Sequence, residues 1–203
     1  VQERCPTFEQ QSPAPSDRND GEPRYKRRHC DPRRRRSSAL THFFGILLGR
    51  DVPAEGGEAI CRQMTGAFEA QTYVRHPPET LGRLCVGFAV PHRLATRHGK
   101  ESLLRQGGGV TLFGDVTLFN RGSIEAGLGP ALQAGAQSDL SLLHRHCRSG
   151  SDLARLNGDF AFGLYDEGEQ RLTLVRDQIG SRILYYARRP EGLLFSTRIH
   201  AFF

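Results

Sequence analysis

The stretch RLNGDFAFGLYDEGEQRLTLVRDQIGSRILYY, from Arg155 to Tyr186, constrains the fold of this chain more than any other. Two apolar runs, Phe160 to Tyr165 and Arg171 to Val175, flank Asp166-Glu167-Gly168-Glu169, a sequence that favours a tight turn. The spacing predicts a regular antiparallel hairpin. An Arg176-Asp177 pair follows at once, and the next apolar run, Leu184-Tyr185-Tyr186, reads as a further aromatic strand. Strands of this kind need a second layer to cover their apolar face.

The rest of the chain supplies candidates for that layer. HFFGILLGRD, beginning at His42, is a short apolar run closed by charge and reads as a buried strand. Ile60, Met64 and Phe68 stand four apart within residues 55–70, one face of an amphipathic helix expected to end near the Pro77-Pro78 pair. Leu84 to Ala95 and Gly109 to Asn120 read as strands joined by a polar, glycine-rich loop. Ser123 is expected to cap one helix and Ser138 a second, and Ser151 to Leu156 adds a last helical turn. Runs of strands and helices without strict alternation point to an α+β protein with mainly antiparallel sheets.

With 203 residues, one domain plus a tail is the expectation. Residues 1–40 hold five of the 11 prolines, and ten Lys/Arg against six Asp/Glu, so they carry +4 of the net +6. Without apolar periodicity this segment cannot offset its ordering entropy, and it reads as a disordered basic tail. Clustered arginines leave open a nucleic-acid or localisation patch, but nucleic acid is not the expected partner. No run approaches the roughly 18 apolar residues of a membrane helix, and no signal peptide is recognisable, so a cytoplasmic protein is expected. Val1 stands first and the one methionine is Met64, which suggests a fragment, a processed product or a non-AUG start. Five cysteines at wide spacing fit neither a disulfide framework nor a zinc site. A metal site from Cys147 with His144 and His146 is disfavoured because chain neighbours in HRHC fall on different faces of a helix, and no metal is expected.

Leu156, Gly158, Phe160, Ala161 and Phe162, then Arg176, Asp177 and Gly180, then Leu184, Tyr185 and Tyr186 follow one another in a recognisable order. This pattern resembles the N-terminal glutaminase domain of asparagine synthase-type proteins, the class II glutamine amidotransferases. The resemblance covers residues 42–203 and is densest from Ser138 onward. It implies a domain over residues 41–203 with the N-terminal-nucleophile hydrolase architecture, an αββα sandwich of two facing antiparallel sheets. In working members the first residue is a cysteine whose thiolate attacks the glutamine side-chain amide while the α-amine serves as base. Ammonia then passes to an ATP-using synthetase half. The final LLFSTRIHAFF resembles the segment leading into that half, so the chain is expected to stop at a domain boundary.

Two departures bear on activity. The family opens Cys-Gly-Ile where this chain reads Phe44-Gly45-Ile46, and 43 residues precede Phe44. Thr41 would be a nucleophile only after processing, and it lies three residues too early. The family's oxyanion-hole Asn-Gly aligns with Asp115 and Val116, placing a carboxylate where an amide donor belongs. An inactive glutaminase site is therefore expected. The resemblance keeps some substrate-binding positions: Arg93 for the glutamine carboxylate, and Ser138 with Asp139 for its α-amine. Ser138-Asp139 is also an ordinary helix N-cap.

The implied role is to supply or scaffold glutamine-dependent, ATP-driven amide formation. The alternative is a non-catalytic binding or docking module, as in lasso-peptide cyclases and β-lactam synthetases. The implied partner is a synthetase domain in cis or trans, with glutamine as candidate ligand and a homodimer as a further expectation. ATP and Mg are implied only for the absent synthetase half, and no cofactor for this chain.

Overall fold

The computed structural model describes residues 40–96, 102–128, 138–149 and 152–203. The chain divides into two units, Val1–Ser37 and Ser38–Phe203, and every described residue belongs to the second. Apart from Leu40, the tail read from the sequence lies outside the described residues.

In chain order the elements are β1 (His42–Leu48), α1 (Ala54–Thr65), β2 (Tyr73–Leu81), β3 (Leu84–Pro91), α2 (His92–Ala95), β4 (Leu104–Gly107) and β5 (Val110–Leu118). There follow α3 (Arg121–Ala126), α4 (Asp139–Arg148), β6 (Gly158–Asp166), β7 (Arg171–Arg176), β8 (Tyr185–Arg189) and β9 (Gly192–Ser196). Single 3-10 turns occupy Leu153–Arg155 and Ile199–Phe202. The strands form two sheets, one ordered β2-β3-β1-β9-β8 and the other β4-β5-β6-β7. Among the described residues every pairing is antiparallel.

Alternation along each strand decides what the sheets bury. In β3, Leu84, Val86, Phe88 and Val90 point to the core between the sheets, whereas Cys85 and Ala89 point to the layer formed by α1. Both faces of this strand are covered, which is why it reads as a continuous apolar run. In β1, Phe43 joins the inter-sheet core, while Phe44, Ile46 and Leu48 pack toward α1 with Cys61, Met64 and Phe68. Leu112, Leu118, Phe160 and Phe162 face the opposite layer and meet Ile124 of α3 and Leu140, Leu142 and Leu143 of α4. The order of layers is helix, sheet, sheet, helix. Phe43, Phe113 and Phe195 join the sheets, with ring centroids 5.5 Å apart for Phe43–Phe113 and 5.5 Å for Phe113–Phe195. Each such ring contributes about 1.5–3 kcal/mol by burial.

The strand registers set a glycine directly across from a phenylalanine at four places: Gly45 from Phe195, Gly87 from Phe44, Gly163 from Phe113 and Gly114 from Phe162. In the first three the ring lies over the glycine, where a Cβ would collide with it. The missing side chain is the space that the ring fills.

The structure corrects the sequence reading at several points. The helix expected over residues 55–70 ends at Thr65, and Phe68 enters the α1 layer from the turn that follows. The Pro77-Pro78 pair does not end a helix but sits in β2, where the register slips between His76 and Glu79. β2 is an edge strand, and an edge with a bulge tolerates the missing amide hydrogens. The loop between the two predicted strands contains β4. The first predicted cap, Ser123, lies inside α3, which begins at Arg121 after Asn120 and has no side-chain cap bond. His92 to Ala95 form a helical turn, α2, beyond the end of β3 rather than part of the strand. Ser138 caps α4 as expected, accepting from Ser141 N in a reciprocal capping box. Among the described residues no helix is long and apolar enough to cross a membrane.

Candidate functional site

The loop between β7 and β8 is organised by one carboxylate. Asp177 is 4% exposed and accepts from Ser181 N at 2.9 Å, Ser181 Oγ at 2.7 Å and Arg182 N at 3.1 Å. It also accepts from Phe160 N at 3.4 Å, tying the loop to β6. Burial pushes its carboxyl up, but the bonds from Ser181, Arg182 and Gly180 outweigh burial and hold it well below the usual carboxylate range. Gly180 has φ +74, which gives the left-handed step that the turn requires.

This framework delivers Arg182 to a cavity of about 180 Å³ lined by Leu40, Thr41, His42, Asp115, Ala161, Ser181, Arg182, Ile183 and Thr197. Arg182 Nη2 lies 3.2 Å from Asp115 Oδ2, with both side chains mostly buried. Arg182 Nε is buried without a hydrogen-bond partner. Thr197 Oγ1 lies 2.9 Å from His42 Nδ1 and accepts from Phe43 N at 3.2 Å, so the chain after β9 is pinned to the start of β1. Thr41, 4% exposed, brings a hydroxyl to the lining.

His42 is neutral at neutral pH, its pKa lowered to about 4 by burial and then by the charges of Arg198 and Arg182. The unfolded imidazole, near 6.5, binds a proton that the folded one refuses over the interval down to about 4. Stability from this group is therefore present above the unfolded value and is lost as pH falls. Acidification from pH 7 to 4 should cost the wild type about 2–3 kcal/mol more than a His42→Gln variant. Urea midpoints at both pH values check this; parallel curves would remove His42 as the cause.

The structure scatters the residues singled out from the sequence. Phe44 is fully buried on the α1 side, its ring stacked on Phe68 at 5.0 Å, and it does not line the cavity. Asp115 does line it, while its neighbour Val116 packs into the layer of α3 and α4. Arg93 is exposed on α2. Asp139 accepts from Leu118 N at 2.9 Å and pairs with Arg121 at 2.5 Å, tying α4 to the end of β5. Ser138 serves the helix cap. None of Arg93, Ser138 and Asp139 lines the cavity. Arg182, Ser181 and Thr197 escaped the sequence reading; the available signal was an arginine two residues past Gly180 in a loop already marked by Arg176-Asp177.

The described thiols lie elsewhere. Cys61 and Cys85 are buried beneath α1, and Cys147 is half-buried on α4 with its thiol pushed up to about 11 by burial. His144 and His146 lie against the carbonyls of Val110 at 3.1 Å and Asp152 at 3.3 Å. Among the described residues no cluster of His, Cys, Asp and Glu could hold a metal ion.

Comparison with known proteins fits this architecture. Amidase chry2 of Gibberella zeae is 42% identical over 52 residues, which are 26% of this chain and 8% of that protein. The chain thus matches only a small part of that protein's length. A family model described as a glutamine amidotransferase domain matches residues 90–203, more than half of the chain and the whole of the β5–β9 framework around the cavity. This chain belongs to the glutamine amidotransferase domain family.

Proposed function

We propose that this chain is an asparagine synthase-type amidotransferase domain of N-terminal-nucleophile hydrolase architecture, spanning residues 41–203, that does not hydrolyse glutamine. Its role is to scaffold ATP-driven amide formation by a synthetase domain in cis or trans, in the cytoplasm. The observation that carries this reading is the cavity itself: among the described residues its lining includes no cysteine and one carboxylate, Asp115, which is paired with Arg182.

Amide hydrolysis by this architecture needs a nucleophile, a base and donors for the developing oxyanion. The lining offers three hydroxyls, and two are engaged: Ser181 Oγ donates to Asp177, and Thr197 Oγ1 is held by Phe43 N and His42. Thr41 is the third, but its nitrogen is in peptide linkage to Leu40 and provides no α-amine. His42 is a weak base at a pKa of about 4. Asp115 would repel an oxyanion, and loss of even one donor costs about 10²–10³ in rate. The same pairing of Asp115 with Arg182 favours the second reading, a binding or docking module like those of lasso-peptide cyclases and β-lactam synthetases.

Ammonia release from excess glutamine is expected to match a protein-free blank, with or without the first 40 residues. Turnover above the blank that scales with protein concentration and disappears in Thr41→Ala would overturn the reading.

A further inference from the structure

Cys61 and Cys85 stand 24 residues apart in the chain, yet the fold sets them against each other where α1 packs on β3. The Cys61 S–H lies 3.4 Å from the Cys85 carbonyl oxygen and also hydrogen-bonds the Cys85 sulfur. Gly57, one turn before Cys61, permits this approach: a Cβ there would lie 3.3 Å from Cys85 Cβ, so the missing side chain lets α1 settle onto the strand. The two sulfurs are not equivalent. The bond from Cys61, aided by one from the Thr80 hydroxyl, outweighs burial and holds the Cys85 thiol below its ordinary pKa. Cys61, the donor, is pushed up by that same bond and by burial. Of the pair, Cys85 therefore has the greater thiolate character, and the thiolate is the form that attacks an oxidant. Both residues are buried, but Thr80 Oγ1 donates to Cys85 Sγ at 3.8 Å, and Thr80 is an exposed residue of the edge strand β2. The Cys85 sulfur thus lies one hydrogen bond away from a solvent-exposed side chain.

We propose that Cys61 and Cys85 are a redox-modification site, which hydrogen peroxide converts into a reversible disulfide tying α1 to β3. The Cys85 thiolate attacks one peroxide oxygen; the S–O bond forms as O–O breaks, sulfur is oxidised to sulfenic acid, and hydroxide leaves and takes up the proton that Cys85 had lost. The Cys61 sulfur then attacks the sulfenic sulfur; S–S forms, S–O breaks, and the hydroxyl leaves as water with the Cys61 proton. Two thiols and one hydrogen peroxide give one disulfide and two waters. A dithiol reductant reverses the product by thiol–disulfide exchange. In a reducing compartment the pair stays open and closes when oxidant rises. The closed loop contains the whole of β2, so oxidation restrains this edge strand together with the end of α1. Neither sulfur lines the cavity, and the site stands whether or not glutamine is hydrolysed.

Treatment of the reduced full chain with hydrogen peroxide, alkylation of the remaining thiols in denaturant, proteolysis and mass mapping test it. The expected product is a disulfide-linked pair of peptides carrying Cys61 and Cys85, which dithiothreitol returns to thiols. The oxidised protein should have a Tm higher by about 5–10 °C. Its β2 amides should exchange hydrogen at least about tenfold more slowly than in the reduced protein. Cys61→Ser and Cys85→Ser should each abolish the peroxide-dependent rise in Tm, and dimedone should trap a sulfenic acid at Cys85 in the first variant but none at Cys61 in the second. Should either variant fail to fold, the peptide map and Tm of the wild type still decide. Recovery of both residues as thiols after Cys147 has been oxidised would overturn the proposal. So would a disulfide from either residue to another cysteine in place of their own, conversion to sulfinic acid without a link, a link that leaves Tm unchanged or lower, or a rise in Tm that persists in folded Cys85→Ser.

Discussion

Gly45→Ala is expected to leave the protein unfolded, or at least about 3–4 kcal/mol less stable, because the new methyl meets two neighbours at once. One is the backbone carbonyl of Cys85 on β3, and the other is the Phe195 ring on β9, whose Cζ would lie 2.6 Å away. β1 is the middle strand of its sheet, with β3 on one side and β9 on the other, so it has no free side toward which to shift. A rotamer change cannot relieve a collision with a carbonyl. Gly168→Ala is the control: it lies in the β6–β7 turn with the nearest atom at an ordinary 3.4 Å, and it should change stability by less than about 1 kcal/mol. Soluble yield and urea midpoints of the two variants decide the matter; near-equal midpoints would show that the β1 ladder yields more easily than its geometry implies.

The second large effect belongs to Asp177→Ala, expected to cost about 3–5 kcal/mol. The substitution removes the acceptor for Ser181 N, Ser181 Oγ, Arg182 N and Phe160 N, and leaves one buried donor, Phe160 N, and three partly buried ones without this partner. Asp177→Asn keeps one carbonyl oxygen and should lose about half as much. Chemical denaturation gives both numbers. Hydrogen exchange at the Ser181 and Arg182 amides separates a loop effect from a global one, because a purely global loss would leave their protection ranked as in the wild type. A loss below about 1 kcal/mol in Asp177→Ala would mean that water replaces the carboxylate and that the loop is not built around it.

The elements with the strongest local signals were legible in the sequence. The β6–β7 hairpin announces itself through apolar runs on either side of Asp166-Glu167-Gly168-Glu169, and α4 through the cap at Ser138. β4 was not legible because Leu104-Arg105-Gln106-Gly107 has one apolar residue, and its strand geometry comes from pairing with β5. β2 was obscured by its prolines, which are admissible only because the strand lies at an edge, a property of the sheet rather than of the segment. The site was the least readable part. Alternation places Phe43 and Phe44 on opposite faces of β1, but nothing local says that Phe44 faces α1 or that the end of β1 near Thr41 opens on the cavity. Asp115 and Arg182 meet because one lies on β5 and the other in the loop after β7, and only the folded topology joins them.

The place of β1 in its sheet also sets a timetable. Phe43 donates its backbone N–H to Thr197, 154 residues later in the chain, and β9 is the neighbour that closes one side of β1. During synthesis from the N-terminus at about 5–20 residues per second, β1 therefore waits on the order of 8–30 s for that partner. Through this interval β3 can cover one edge of HFFGILL, while the other edge presents unpaired backbone beside phenylalanine, isoleucine and leucine. A short, apolar, uncharged strand held open in this way can pair with a strand of another nascent chain. On the ribosome, the vulnerable species is the chain that has made β1 but not yet β9.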